Sequence, residues 1–297
     1  MKFINFCPPG STETRLGIDV EGHCLDLEAA RSAGRIRMPA GALIEDVLRS
    51  EEGLDGLERQ LSDAALRTLV AFRIPLPEVT LRAPILHPSK VIGIGLNYHD
   101  HAEEVKMAKP AEPILFGMYP NAIIGPEEAI RIPRLSRKID YEAELAVVLG
   151  RRGRYIPAAE AVDYIAGYTI FNDVSARDLQ MRDSQWIRGK SFDTFAPIGP
   201  CLVSTSVLGD GDGLDIRLRL NGKTMQDSNT RKLIFKVPAL VAFISEVMTL
   251  EPGDIIATGT PGGVGFARKP PVWLAPGDIV EVEIDGIGIL RNPVADE

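Results

Sequence analysis

Short apolar runs, each bounded by polar or turn-forming residues, dominate the chain from residue 85 onward. Runs of this length are typical of β-strands. The clearest are VIGIG, AIIGP, AELAVVL, YTIFND, IRLRLNG, DIIATG and DIVEVEI. Asn221-Gly222 is a strong hairpin-turn signal between two such runs. A longer apolar stretch, PALVAFISEVMTL, predicts one helix over roughly residues 238–249.

The first 80 residues have a different pattern. LGIDVEGHCLDLEAA predicts a hairpin with Glu21-Gly22 as its turn, and amphipathic spacing predicts helices over roughly 39–50 and 53–72. Four prolines then interrupt PLPEVTLRAPILHPSK, as in a linker or a run of edge strands. We therefore expect an α+β protein with a small N-terminal α/β domain, residues 1–80, and a large strand-rich domain, residues 85–297.

Composition narrows the possible partners and compartments. The net charge is −8 and there is no block of Lys and Arg, which argues against nucleic-acid or membrane binding. The three cysteines form no CxxC pair, so neither a zinc site nor a disulfide framework is indicated. The N-terminal MKFINFCPPG is too polar for a signal peptide, and no apolar run approaches the ~20 residues of a membrane span. We expect a cytoplasmic protein.

Three glycine-containing motifs do not match known catalytic or nucleotide-binding signatures. GKSFD at 189–193 fails the GxSxG pattern at its last position. GTPGGVG at 259–265 lacks the GK[ST] of a P-loop, and GIGLNY at 93–98 is not continued into a dinucleotide fingerprint. A serine nucleophile and a nucleotide site are therefore not supported.

Acidic residues are the strongest chemical signal. Glu142 and Glu144 stand two positions apart at the head of an apolar run, so on a strand both side chains point to one face. Asp173 ends the run YTIFND, where it could meet the pair from a neighbouring strand. Three carboxylates in a partly buried pocket suit Mg²⁺, Mn²⁺ or Ca²⁺. Pairing of the glutamates with Arg134 or Arg137 is the alternative, and spacing alone leaves both open.

A second group of candidate residues lies in NYHDHAEEVKM. His101 and Glu104 share a face of a helix, so the carboxylate can orient the imidazole as a general base. The alternative is a solvated helix start capped by Asp100, and His99 with Glu103 is a weaker competing pair.

Lys190 is the third candidate. It stands among Trp, Phe and Gly in QWIRGKSFDTF, a context that predicts partial burial. A buried lysine can stabilise an enolate or carboxylate oxygen, or it can simply pair with Asp193.

These motifs together carry a family resemblance. GLNYHDHAEE, DYEAELAVVLG, FNDVSARDLQ, QWIRGKSFDTFAPIGP and TGTPGGVG occur in an order and spacing that resemble the fumarylacetoacetate hydrolase superfamily, over about residues 85–295. The insert RDSQW and the ending KPPVWLAPGD are most similar to one branch. That branch holds the domain-containing protein 2 type and the bacterial 2-hydroxyhepta-2,4-diene-1,7-dioate isomerases.

The resemblance implies a mixed β-roll fold, a homodimer and a bound Mg²⁺ or Mn²⁺, with Ca²⁺ as a substitute in crystals. It implies that the metal ligands are Glu142, Glu144 and Asp173 and that His101 and Glu104 form a water-activating dyad. It also implies that Lys190 stabilises an oxyanion. The implied substrate-binding residues are Arg177, Gln180, Gln185 and Thr260. By the same resemblance, Asn97 stands where the liver enzyme carries a further metal-binding aspartate, so three protein carboxylates are expected.

The activity implied by the resemblance is metal-dependent chemistry on β-dicarbonyl compounds or 2-oxo diacids, in the setting of aromatic-compound catabolism. We expect C–C bond hydrolysis of an acylpyruvate-type substrate through an enolate that the cation holds. Oxaloacetate tautomerisation or decarboxylation and hydroxymuconate-type isomerisation are alternatives on the same site. A more distant alternative is a non-catalytic protein that binds a small molecule.

Overall fold

The computed structural model describes residues 1–182 and 185–297. Its strands are β1 (Lys2–Cys7), β2 (Arg15–Val20), β3 (His23–Asp26), β4 (Arg73–Pro75), β5 (Thr80–Arg82), β6 (Val91–Gly95), β7 (Ile114–Met118), β8 (Ile123–Ile124), β9 (Ile130–Ile132), β10 (Ile139–Asp140), β11 (Ala143–Leu149), β12 (Ile165–Asn172), β13 (Ser175–Ala176), β14 (Ala196–Ser204), β15 (Asp215–Leu220), β16 (Lys223–Asn229), β17 (Ile255–Ala257), β18 (Ile279–Ile284) and β19 (Gly288–Asp296).

The helices are short. The α-helices are α1 (Leu27–Ser32), α2 (Ile44–Arg49), α3 (Gly53–Gln60), α4 (Asp63–Thr68), α5 (His99–Glu104), α6 (Arg177–Gln180), α7 (Ile187–Lys190), α8 (Thr205–Leu208) and α9 (Val237–Val247). Single turns of 3-10 helix cover Val70–Phe72, Leu76–Glu78, Pro120–Ala122, Thr230–Lys232 and Gly265–Ala267, and a longer one covers Ala158–Tyr164.

Two mixed sheets form the body of the protein. The larger has the order β4-β3-β2-β1-β14-β12-β11-β17-β6-β7, with β5 added to β1 and β8 added to β14. Its neighbours are antiparallel except at β17–β6 and β14–β8. The second sheet has the order β16-β15-β18-β19-β9, and β10 pairs with β13 separately. This mixed, strand-dominated architecture with helices at its margins confirms the expected fold class.

Strand β1 links the N-terminal residues to the rest of the sheet. Lys2 and Phe3 pair with Val203 and Leu202 of β14, so hydrogen bonding continues across the expected boundary. One cluster of buried apolar side chains also includes residues from both sides of that boundary. The division into residues 1–80 and 85–297 stays a prediction.

Both hairpin turns occur where the sequence predicts them. Glu21-Gly22 connects β2 to β3 with φ of 54° and 79°, and Asn221-Gly222 connects β15 to β16 with φ of 53° and 78°. Two positive φ values in succession are the requirement of a type I′ turn, which Asn and Gly meet at low cost. Helix α9, Val237–Val247, likewise confirms the predicted helix.

The predicted extents of the two N-terminal helices, residues 39–50 and 53–72, are wrong. The first shortens to α2, because Pro39 and Gly41 precede it in an irregular stretch. The second divides into α3 and α4, because Ser62 adopts ψ of 159° between them. The amphipathic period runs through both interruptions, so it could not reveal them.

Cys7, Cys24 and Cys201 are buried and carry no disulfide. Within the described ranges, the chain contains no helix with both the length and the apolar character needed to cross a membrane.

Candidate metal centre and active site

Two antiparallel strands bring the three candidate metal ligands together. β11 begins beside the end of β12, with Ala143 opposite Asn172, and the Asp173 N–H donates to the Glu142 carbonyl at 2.9 Å. Oxygens of Glu142, Glu144 and Asp173 all lie within 4.8 Å of one another, and all three residues are buried. The strand alternation and the strand-end position of Asp173 therefore predicted this proximity correctly.

Two buried cations contact the carboxylates. Lys190 Nζ lies 2.7 Å from Glu142 Oε2 and 2.6 Å from Asp173 Oδ2, while an Arg177 Nη donates to Glu142 Oε1 at 2.6 Å. The alternative partners expected from spacing lie elsewhere, since Arg137 pairs with Asp296 and the Arg134 backbone N–H bonds Glu297. The glutamate pair is thus partly compensated, but by other cations than the nearby arginines.

The compensation is uneven. Burial would raise the pKa of Glu142, but Arg177 and Lys190 outweigh it and lower that pKa. Burial raises the pKa of Glu144 well above its usual value, and the nearby Asp173 and Glu142 charges add to the effect. The Gly259 backbone N–H donates to the Glu144 carboxylate at 2.7 Å, and no arginine or lysine among the described residues forms an ion pair with it. Glu144 is therefore the carboxylate that most needs another positive charge.

The donor set fits a divalent cation. Asp173 Oδ1 is buried and has no hydrogen-bond partner. The three carboxylates and Asp140, when all are ionised, carry four negative charges against the two positive charges of Lys190 and Arg177. Ligation by carboxylate oxygens alone is the environment that Mg²⁺ and Mn²⁺ prefer.

His101 and Glu104 face this cluster from α5. His101 is 8% exposed and lines the same cavity as the carboxylates. Its Nδ1 lies 3.6 Å from Glu104 Oε2, and that oxygen also accepts the Gly263 N–H at 2.9 Å. The geometry suits a histidine base with an orienting carboxylate, although 3.6 Å exceeds an ordinary hydrogen bond.

The competing interpretations of this segment are not supported by the contacts. Asp100 does not cap α5, because its carboxylate accepts from Ser228 at 2.6 Å and from the Gly262 N–H at 3.2 Å. His101 is buried rather than solvated, and His99 is not among the described residues that line the cavity.

Lys190 ends α7 and is 2% exposed. Its Nζ lies 5.3 Å from the centre of the Phe116 ring, as well as against Glu142 and Asp173. Asp193, the alternative partner, instead accepts from Asn121 at 2.7 Å. The predicted burial of the lysine is confirmed.

Three of the four expected substrate-binding residues share the cavity, whose volume is about 300 Å³. Arg177 donates to Gln180 Oε1 at 2.9 Å, and both side chains are buried. Thr260 accepts from Gln226 at 2.8 Å at the turn after β17. Gln185 is exposed and is not among the described lining residues.

Asp140 is a site residue that the sequence analysis missed. It is fully buried and accepts from Arg177 Nε at 2.8 Å, from the Gly265 N–H at 2.7 Å and from the Phe266 N–H at 3.1 Å. A signal existed, since the period of two that relates Glu142 to Glu144 extends back to Asp140.

The Asn97 side chain bonds to backbone groups. It donates to the Thr258 and Phe235 carbonyls at 2.8 and 3.1 Å and accepts the Phe235 N–H at 2.8 Å. All of its polar atoms are therefore used in joining the end of β17 to the segment before α9. Among the described residues the cluster contains three carboxylates. This is the number expected when position 97 carries an asparagine rather than an aspartate.

Comparison with known proteins identifies the family. The family model described as "Fumarylacetoacetate (FAA) hydrolase C-terminal" matches residues 90–295. The chain belongs to the fumarylacetoacetate hydrolase family. The members of this family are enzymes, and so is this protein. The match confirms the resemblance found in the sequence motifs and agrees with the observed fold.

Relatives of this fumarylacetoacetate hydrolase family enzyme carry out several reactions. A mitochondrial oxaloacetate tautomerase of Xenopus laevis is 42% identical, over 99% of this chain and 90% of that protein. The crystal structure of a 2-hydroxyhepta-2,4-diene-1,7-dioate isomerase from Mycobacterium marinum is 35% identical, with a TM-score of 0.76, covering 100% of this chain and 99% of that one. A maleylpyruvate hydrolase from Sphingobium sp. SYK-6, in complex with manganese(II) and pyruvate, is 31% identical with a TM-score of 0.80 and the same coverage.

Proposed function

We propose that this family member is a divalent-metal-dependent tautomerase that interconverts the keto and enol forms of 2-oxo acids. One observation carries the proposal: a buried carboxylate cluster, a buried lysine and His101 line a single cavity, and the carboxylate of Glu104 lies 3.6 Å from His101 Nδ1. The oxaloacetate tautomerase relative, matched over nearly the whole of both chains, supports tautomerisation over the hydrolysis expected from the sequence.

Glu142, Glu144 and Asp173 would hold the cation, Mg²⁺ or Mn²⁺. When bound, the cation supplies Lewis acidity that makes the hydrogen next to the oxo group more acidic. The manganese in the maleylpyruvate hydrolase complex supports this assignment.

The chain's own side chains then move and stabilise charge. His101 would take the proton from the carbon next to the oxo group, while a proton reaches the oxo oxygen; the reverse step regenerates the keto form. Glu104, 3.6 Å from His101 Nδ1, would orient the ring. Lys190 would stabilise the negative charge that develops on the substrate oxygens.

Hydrolysis of a C–C bond is the second candidate, and the pyruvate in the maleylpyruvate hydrolase complex favours it. Here His101 would deprotonate a water that attacks the carbonyl two carbons from the oxo group. The bond between that carbonyl and the methylene carbon breaks, the acyl part leaves as an acid, and a proton converts the enolate to pyruvate. Decarboxylation and isomerisation remain alternatives on the same residues.

The test compares two substrates with and without metal. Decay of enol-oxaloacetate and cleavage of acetylpyruvate are measured with Mg²⁺, and again after chelation and metal analysis. We expect the metal-loaded enzyme to accelerate enol decay. Cleavage of acetylpyruvate without effect on enol decay would replace the tautomerase by the hydrolase, and full activity in metal-free protein would reject the metal.

We also propose a homodimer located in the cytoplasm, with a small-molecule 2-oxo acid as its substrate and a role in aromatic-compound catabolism. Three buried free cysteines are compatible with a reducing compartment. The large sheet ends in β4 and β7, and a partner copy is one way to cover sheet edges.

A further inference from the structure

The cavity has two kinds of lining. On the polar side, hydrogen bonds connect Glu142, Asp173, Lys190, Arg177 and Gln180. Much of the remaining lining is apolar, and we call it the apolar wall. It comprises Val105, Met107, Ile114, Phe116, Met181 and Trp186. Lys190 connects the two parts, because its Nζ lies 5.3 Å from the Phe116 ring centre.

Two glycines of β6 seat the aromatic part of the apolar wall. Phe116 and Trp186 meet edge to face, with ring centres 5.4 Å apart. A Cβ on Gly93 would lie 2.1 Å from the Phe116 ring, and one on Gly95 would lie 2.3 Å from the Trp186 ring. Both distances are shorter than any van der Waals contact, so the rings reach these positions because the strand carries glycine. Gly93 and Gly95 belong to the segment GIGLNY, which is not continued into a dinucleotide fingerprint, and their role here is to shape this cavity.

Three further members of the apolar wall are exposed to solvent. Met107 is 57% exposed, Met181 is 64% exposed and Ile114 is 37% exposed. Scattered exposed apolar side chains are ordinary, but a group of them around one cavity marks a binding surface. Contact with an apolar ligand group would remove this surface from water.

The cavity offers little to a second negative charge. Among the described lining residues, the arginine and lysine side chains are Arg177 and Lys190. Both already contact buried carboxylates at 2.6–2.8 Å. A carboxylate held against the apolar wall would lose its hydration without gaining a free cation.

We propose that the natural substrate is a 2-oxo acid whose C3 substituent is an apolar alkyl or aryl group, which packs against the apolar wall. The proposal rests on the proposed function, because the 2-oxo acid group must occupy the polar part of the cavity. It sets this enzyme apart from one specific for a short diacid such as oxaloacetate.

The first experiment measures tautomerisation of phenylpyruvate and oxaloacetate, which differ in having phenyl or carboxylate on C3. Wild type should show a kcat/KM for phenylpyruvate roughly tenfold or more above that for oxaloacetate. Trp186→Ala should lower this ratio roughly tenfold. Val247→Ala, at a 60% exposed site on α9 outside the cavity, should leave the ratio unchanged.

The outcomes separate the two hypotheses. Turnover of neither acid would reject the proposed function itself. Turnover of oxaloacetate without preference for phenylpyruvate, or a preference that Trp186→Ala does not change, would overturn the apolar assignment and leave the tautomerase in place.

A charge-gain variant tests the same idea without removing an aromatic ring. Ile114→Lys supplies a cation beside the apolar wall and should shift the kcat/KM ratio toward oxaloacetate by roughly fivefold. Val247→Lys adds the same charge elsewhere and should have no effect on the ratio. Equal shifts in the two variants would contradict a local role for the apolar wall.

A binding measurement avoids dependence on turnover. The chain has two tryptophans, so Trp273→Phe leaves Trp186 as the fluorophore inside the cavity. In this variant, with Mg²⁺ present, 4-methyl-2-oxopentanoate should change the emission at a concentration roughly tenfold lower than 2-oxoglutarate. Equal or reversed affinities would overturn the proposal.

Discussion

Asp140 shows how one buried side chain can organise several parts of a site. It binds Arg177 through its carboxylate and accepts two backbone N–H groups from the loop at Gly265 and Phe266. The Phe266 ring in turn lies 4.5 Å from the Arg177 guanidinium. Asp140 and Phe266 therefore hold the Arg177 side chain from two sides. Its position is set before a substrate binds.

Asp140→Asn should be strongly destabilising, because it removes a charge and leaves Arg177 buried with less compensation. We expect a loss of about 3 kcal/mol in the free energy of unfolding, measured in urea. Asp296→Asn removes an exposed carboxylate 3.4 Å from Arg137 and should cost no more than about 1 kcal/mol. Similar losses of unfolding free energy in the two variants would show that burial of the Asp140–Arg177 ion pair does not increase its contribution to stability.

The His101–Glu104 pair should separate the reactions that need a base from decarboxylation. His101→Ala should lower tautomerisation and acylpyruvate cleavage by about 10²–10⁴-fold, while retaining a measurable fraction of oxaloacetate decarboxylation. Lys190→Ala should depress all of these reactions. His99→Ala, two residues away and outside the described cavity lining, is the control and should keep most of the activity. Equal losses in every reaction for His101→Ala would mean that the pair orders the site as a whole.

Helix α5 and the glycine-rich loop 259–265 form one unit at the scale of elements. Asp100 and Glu104, one turn apart on α5, accept the N–H groups of Gly262 and Gly263. The loop therefore holds the helix that carries His101, and the helix holds the loop that carries Thr260. A shift of either element would move His101 or Thr260 relative to the carboxylate cluster.

Two adjacent glycines give a matched test of this unit. Gly263 has φ of +108°, and a Cβ there would lie 2.2 Å from the Met225 carbonyl oxygen, whereas the nearest contact at Gly262 is 3.3 Å. Gly263→Ala should lose about 1–3 kcal/mol of stability and most of the activity, while Gly262→Ala should lose less of both. Thermal unfolding and kcat measure the two effects. A Gly262→Ala variant as damaged as Gly263→Ala would contradict the role of backbone conformation.

Local patterns predicted the strands and the Glu142–Glu144 pair because these depend on neighbours in sequence. Glu142 and Glu144 share a face by strand alternation, and Asn221-Gly222 determines its own turn. The positions of Phe116 and Trp186 depend on β6, β7 and α7 coming together, which no short window contains. Interruptions such as Ser62 depend on packing rather than on hydrophobic period.

At the scale of the whole molecule, a cation bound by the carboxylate cluster would add to the stability of the fold. Mg²⁺ at about 100 times its dissociation constant should raise the free energy of unfolding by about 2.7 kcal/mol. Thermal unfolding of chelated protein with and without added Mg²⁺ measures this effect. Glu144→Ala should abolish the increase, and Glu246→Ala, on α9, should retain it. An unchanged Mg²⁺ response in Glu144→Ala would remove that residue from the ligand set.

The expected homodimer is tested separately. Light scattering at micromolar concentration should give twice the chain mass of 32.3 kDa. A mass near 32.3 kDa would contradict dimerisation.

The contact between β1 and β14 has a consequence for synthesis on the ribosome. Lys2 and Phe3 of β1 can pair with Val203 and Leu202 only after those two residues have been synthesised. The second half of β1 pairs with β5, which is synthesised much earlier. At about 5–20 residues per second, roughly 10–40 seconds separate the emergence of the two partners. During that time the first residues present unpaired backbone groups to other nascent chains. A product terminated before Leu202 would keep this edge open permanently, and it should therefore be prone to aggregation.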